Sequence, residues 1–460
     1  MNMDGNQKRP GKTLIKISVL GVCLILLFAA AVYARVIQDD SIAAGEKQSG
    51  LKVCAAHPLI FYETENPAVS APIALNPEPK GSGLIAYGNG AVQRLNSEQE
   101  QLLLDYLNLY YESLAALNAA DPSHLFAVGA RNQALARQTV WQVTVGLRAA
   151  QASDLSLDSY AYKLTVTDVT AEENGNLSLS ALEDSVQNFR AFPGVASESF
   201  NIRHRFTLIP TVSGWKLNSH MQIDTSNWVA LGSLASLLRG GDNIWASDDI
   251  ETVLDAQRDR VLNAHTRSIA ALREQTAAPV SESLRWEHDY NREAAVAYAT
   301  KWAGDRNSAE WPDYSRYGGN CANYTSQSLL SGGIPMDYTG TDQWKWYDAA
   351  PSSAQSASGR SVSWAGVEGF YNYALNNSGH GLVADARAQF WTGQPGDLIL
   401  LGSEEGAWRH IVIISEVVKD ADGRTIDYLI CSNTADLRNM PISAYHYSQK
   451  QLIRILGYND

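Results

Sequence analysis

The segment YGGNCANYTSQSLLSGG, Tyr317 to Gly333, places Cys321 directly after Gly318, Gly319 and Asn320, at the head of a stretch that reads as helix. With Asn320 as N-cap, the cysteine takes the first helical position, where unpaired backbone N–H groups and the helix dipole favour a thiolate. The paired glycines allow a tight turn and leave room beside the sulfur, and Gly332 and Gly333 end the helix. A thiol nucleophile needs a base. In GDLILLGSEEGAWRHIVIISEVV two apolar runs flank a glycine-containing turn, so His410 opens the second of two neighbouring strands. Alternation sets His410 on the face of Val412 and Ile414, with Ile411 and Ile413 on the other. After the turn signal ADGRT comes the strand-like IDYLICSNTAD, which carries Asn433. Cys321, His410 and Asn433 thus follow the order helix, strand, next strand. An amide oxygen at the third position can accept from the imidazole N–H facing away from the thiol and so fix the ring.

Taken together, several ordered motifs resemble the putative amidase domain family of papain-like bacterial cell-wall enzymes. They are YNREAAVAYATKWA (Tyr290 to Ala303), GGNCANYTSQSLLSGG, the pair Trp344 and Trp346, SVSWAGVEGFYNYAL (Ser361 to Leu375), PGDLILL, WRHIVII and CSNTAD. The likeness covers roughly the last third of the chain. It implies a cysteine-dependent amidase or peptidase with Cys321 as nucleophile and His410 as base, to which the residue pattern adds Asn433 as the orienting residue. Family members more often carry His where Asn433 stands, and Asp436 is the alternative for that role. The mechanism so implied is acyl transfer, with the oxyanion held by the Cys321 N–H and a second donor sought near Asn320 and Tyr314. Trp344, Trp346 and Trp364 either line a substrate groove or belong to the core. The expected substrate is a cell-wall peptide or another peptide. No HExxH, CxxC or Gly-rich phosphate loop occurs, so neither metal nor cofactor is expected.

Residues outside this region bear on where such chemistry would happen. Lys8, Arg9, Lys12 and Lys16 precede an uncharged apolar run from Ile17 to Ala34, which reads as a signal peptide or membrane anchor. The charge bias predicts attachment to a membrane through this segment, or secretion, with the catalytic domain on the outer face. Four cysteines in 460 residues are too few for a disulfide framework. The formal net charge of −13 argues against nucleic acid as a partner.

Between these regions the pattern predicts an extended arm or linker over 36–96, with Glu63 to Gly83 rich in Pro and small residues. An α+β cone-like unit over 97–225 follows. Its helix carries Leu103, Tyr106, Leu107, Tyr110 and Leu114 on one face, and Ser97 and Glu100 stand at capping-box spacing. Alternation then predicts strands at Trp141–Leu147, Tyr162–Val166, Phe200–Leu208 and Trp215–Met221, with Ser213-Gly214 as a hairpin turn and His204 as an inward core residue. A helical connector over 226–285 leads to the amidase unit at 286–460, after a membrane segment at 1–35. The expected fold class is α+β: a papain-like domain with the cysteine at a helix start and an antiparallel sheet, a cone-like middle domain and an N-terminal membrane helix. The competing functional class is a catalytically inactive, membrane-tethered binding or scaffold protein of the cell envelope.

Overall fold

A computed structural model describes residues 81–88, 93–223, 250–275, 284–315, 319–339, 343–346, 360–402 and 407–460. Strand β1 (Ser82–Tyr87) is followed by helices α1 (Ser97–Ala116) and α2 (Arg131–Ala149) and strands β2 (Leu157–Ala171), β3 (Leu177–Phe189), β4 (Ser197–Thr211) and β5 (Gly214–Ile223). Helix α3 (Ile250–Glu274) leads to α4 (Arg292–Trp302), α5 (Cys321–Ser331), α6 (Val362–Ala365) and α7 (Val367–Asn376). The chain ends in β6 (Gly381–Ala388), β7 (Leu398–Gly402), β8 (His410–Lys419), β9 (Thr425–Ser432), β10 (Asp436–Pro441) and β11 (Gln449–Asn459).

These strands form one open sheet in the order β1-β2-β3-β4-β10-β9-β8-β7-β11-β6, with β5 also on β4. Among them only β1 on β2 runs parallel. The fold expectation is corrected here: a separate cone and a separate papain-like sheet are replaced by a single mixed α/β sheet. The long strand β4 makes the join. Its Arg203–Thr211 part pairs with β5, while Glu198 to Phe200 pair with Arg438 to Asp436 of β10. The Arg438–Glu198 ion pair at 2.8 Å and the Ser197 hydroxyl on Asn439 O at 2.7 Å pin the junction.

Each face of this sheet is covered by its own helices. Leu103, Leu107 and Leu114 of α1 and Val140 and Val143 of α2 share a core with Leu254 of α3 and with Val412 and Ile414 of β8. Ala295 of α4, Leu329 of α5 and Phe370 of α7 share the other with Ile411, Ile413, Leu398 and Ile453. Period-2 alternation along strands buried on both sides is what feeds the two cores.

Two local expectations change. The stretch Trp141–Leu147 is helix α2, because tertiary packing of its Ala134, Val140, Trp141 and Val145 outweighs the alternating pattern. The cap of α1 is Asn96, whose side chain accepts from Gln99 N while Gln99 answers on Asn96 N, one residue before the expected pair.

The membrane expectation is also corrected. Among the described residues no helix is long and apolar enough to cross a membrane. The segment Ile17 to Ala34, on which the membrane helix, membrane attachment and an outer-face location rested, lies outside the described residues.

Candidate active site

Cys321 is the first residue of α5, with Asn320 in the N-cap position. The turn before it uses Gly319 at φ 128°, a conformation that a Cβ disfavours. The Asn320 side chain does not cap the helix. Its Oδ1 accepts from Tyr314 N at 3.1 Å and Asn323 Nδ2 at 2.9 Å, and its Nδ2 donates to Asn433 Oδ1 at 2.8 Å. The Asn320 N–H donates to Thr434 Oγ1 at 2.9 Å. Asn433 completes its amide with donations to Trp302 O and Asp305 O at 3.2 and 3.1 Å. Asp436 holds the same turn: its carboxylate accepts from Thr434 N, Arg306 and Asn201. Asn320, Tyr314, Asn433 and Asp436 therefore form one polar framework around the start of α5.

The Cys321 sulfur faces the backbone N–H groups of Ile411, Ala322 and Cys321 itself. Those donors favour a thiolate, as the helix position predicts. Burial opposes them more strongly and pushes the thiol up to about 11. His410 is also buried, and loss of solvent lowers its imidazole to about 3. The resting pair is a neutral thiol and a neutral imidazole.

The two side chains are not joined by a hydrogen bond. Ile411 and Ile413 pack in the core that holds Cys321, whereas His410 follows Val412 and Ile414 onto the other face of β8. There its Nε2 lies 2.8 Å from Ser432 Oγ, and its ring packs against Tyr445 and Tyr447 with centroids 5.7 and 6.1 Å away. Ser432, one residue before Asn433, is thus the side chain that holds the imidazole. The register explains it: Ile413 pairs with Cys431, so Ser432 falls on the face of Val412 and Asn433 on that of Ile411. The sequence carried this signal in the alternation of IVII against LICSN.

The tryptophans divide. Trp344 and Trp364 are wholly buried, with their indole N–H groups on Ser326 Oγ and Asn323 Oδ1 at 2.9 and 2.8 Å. Trp346 is only partly buried and meets Trp311 edge-on at 5.0 Å. Trp311, which sequence reasoning did not single out, also lines a small cavity with Trp302, Asn320 and Asn433. Residues 316–318, 340–342, 347–359 and 403–406, which adjoin these side chains in sequence, lie outside the described residues. Among the described residues no group of three or more His, Cys, Asp or Glu side chains is placed to hold a metal ion.

Comparison with known proteins agrees with the resemblance in the motifs. The family model described as a putative amidase domain matches residues 289–456. An amidase-like domain therefore occupies the C-terminal third. One curated relative, the uncharacterized protein YhbB of Bacillus subtilis (strain 168), is 33% identical over 132 residues, covering 28% of this chain and 38% of that protein. The chain thus spans well under half the length of that relative. Among solved structures, the intermembrane space region of the chloroplast protein ARC6 matches with a TM-score of 0.18 and 15% identity, over 28% of this chain and 98% of that one. A score of that size carries no argument about fold. The amidase-like domain supports a general hydrolase of the amidase type.

Proposed function

We propose that the amidase-like domain is a cysteine-dependent amidase that hydrolyses an amide bond of a peptide, with Cys321 as nucleophile and His410 as base. The observation that carries this reading is the seat of the Cys321 sulfur, at the first position of α5 and facing three backbone N–H groups, within the segment matched by the amidase family. In the reaction the thiol proton passes to the imidazole and the sulfur attacks the amide carbonyl carbon. The imidazolium then protonates the leaving amine, and water attacks the thioester to release the acid and restore the thiol. The backbone N–H groups beside the sulfur favour the thiolate as its proton leaves. In the resting geometry His410 lies on the face of β8 away from Cys321, so proton transfer requires the start of β8 to rearrange and not only the imidazole to turn from Ser432. Asn433 remains the sequence-based candidate for orienting the ring once it has moved.

The test compares wild type with Cys321→Ala on isolated cell-wall peptides and simple peptide amides, reading release of new amines. Loss of release in the variant supports the reading, and equal release from both removes it.

A second reading is favoured by the separation of thiol and imidazole: an amidase-like domain that binds but does not turn over. It predicts that Cys321 alkylation follows a thiol titrating near 11 whether or not peptide is present. Catalysis predicts faster alkylation near neutral pH once peptide binds.

A further inference from the structure

The middle helices cover a continuous line of polar side chains that amide hydrolysis does not use. Tyr106 Oη lies 2.8 Å from His220 Nδ1, and His220 Nε2 lies 2.9 Å from His204 Nδ1. His204 Nε2 reaches Glu183 Oε2 at 2.9 Å, off the ideal N–H line, and the Tyr111 hydroxyl donates to Glu183 Oε1. All five side chains are buried. Tyr106 and Tyr111 belong to α1, whereas His220, His204 and Glu183 stand on the adjacent strands β5, β4 and β3. The line leaves the helix, crosses three strands and returns to the same helix.

Its hydrogens can be counted. An ionised carboxylate only accepts, so His204 presents Nε2–H to Glu183 and accepts on Nδ1 from the His220 Nε2–H. His220 Nδ1 then accepts from the Tyr106 hydroxyl. Four hydrogens are thus placed, three in hydrogen bonds and the fourth, on His204 Nε2, facing the Glu183 carboxylate. A fifth proton on either ring sets N–H against N–H unless the line reverses toward Tyr106. The Tyr106 hydroxyl would then need another acceptor, and His220 is its one hydrogen-bond partner among the described residues, while its ring packs against Phe126, Trp141 and Phe206.

We infer that this line is an acid-sensitive latch on α1: uptake of one further proton and opening of the helix from the sheet are a single event. The facing groups reinforce it. Arg137 of α2 acts on Tyr106 and His220, a cation that opposes a second positive charge there. Burial first, then His204 and Arg137, hold the His220 imidazole well below its usual range. On the other side stand Tyr110 of α1 and Tyr162 of β2, and Tyr162 in turn feels Tyr160, Asp105 and Glu112. Ser185 of β3 lies beside Tyr111 and offers the one competing route, proton uptake at Glu183 with the Tyr111 hydroxyl turned aside.

The experiment follows the imidazole signals of His204 and His220 by NMR in the full chain from pH 7.5 to 4.5, alongside hydrogen exchange of 97–116. Both rings are expected as Nε2–H tautomers, with His220 taking a proton only where α1 loses protection. Below about pH 6.5 the opening constant of α1, corrected for intrinsic exchange, should rise about tenfold per pH unit for each proton taken up. Proton uptake by either ring or by Glu183 while α1 stays protected overturns the latch, as does opening with both rings neutral. In Tyr106→Phe the end-stop is gone, so His220 should titrate before α1 opens. Unchanged coupling in that variant also overturns the proposal, and if the variant fails to fold the wild-type titration decides.

Discussion

At Cys321 the helix start and burial pull in opposite directions, and burial wins in the resting protein, so the side chains around His410 decide whether the pair can work. Ser432→Ala removes the hydroxyl on His410 Nε2 and leaves a buried ring nitrogen without that partner, a cost of about 1–3 kcal/mol. It should also shift the pH profile of amide hydrolysis, because the resting seat of the base has changed. Asn433→Ala should act differently. It orphans Asn320 Nδ2 and the carbonyls of Trp302 and Asp305, so the expected result is a stability loss on the order of 2 kcal/mol or more in denaturant titration. If Asn433→Ala leaves stability untouched and alters only the pH profile, Asn433 rather than Ser432 orients the ring. The helix start at Cys321 and the strand start at His410 are legible in sequence from local pattern. Ser432 is legible only in part, since alternation puts it on the opposite face from Asn433 but its pairing with His410 depends on the register of β8 on β9, where a shift of one residue exchanges the two.

Among the elements, α1 shows how close local signals compete. Asn96 with Gln99 and Ser97 with Glu100 both have the spacing of a capping box, and the sequence offers no choice between them. In the fold Glu98 is drawn to Trp215 N at 3.0 Å and Glu100 to the Tyr87 hydroxyl at 2.6 Å, which frees Gln99 to close the box on Asn96. Asn96→Ala should therefore lower stability by about 1 kcal/mol, while Ser97→Ala stays within about 0.5 kcal/mol of wild type. Equal losses in a urea titration would return the cap to the later pair. Helix α2 defeats a sequence reading for a related reason: Trp141, Val143, Val145 and Leu147 alternate like a strand, yet all are buried because neighbouring helices and the sheet close around them. Strand β3 is hidden in the sequence since Glu183, Ser185 and Gln187 occupy inward positions that a core strand usually fills with apolar residues. Those same polar positions build the line to His204 and hold Arg148, so the hidden strand and the hidden network have one cause.

For the whole molecule, burial of histidines on strands, on α3 and before β11 sets the response to acid. His265 and His410 are each lowered to about 3 by desolvation, and His220 and His446 are held well below the usual value by the same first cause. All four are neutral in the fold and take protons near pH 6.5 only when the chain unfolds. Their contribution is therefore complete above about pH 6.5 and is lost as the pH falls toward the folded values. Asp427 runs the other way. Burial raises it to about 6, so the fold keeps a proton that the unfolded chain releases above about pH 4, and acidification through that window adds stability. Four imidazoles against one carboxyl leave a net loss of up to three protons' worth, on the order of 4 kcal/mol per pH unit at its steepest between pH 6 and 4. Denaturant midpoints at pH 7, 6 and 5 should fall at an accelerating rate, whereas constant midpoints over that range would mean that the buried imidazoles reach water in the native protein. Replacing Asp427 by Asn should steepen the decline below pH 6, since the opposing group is gone while the histidines remain.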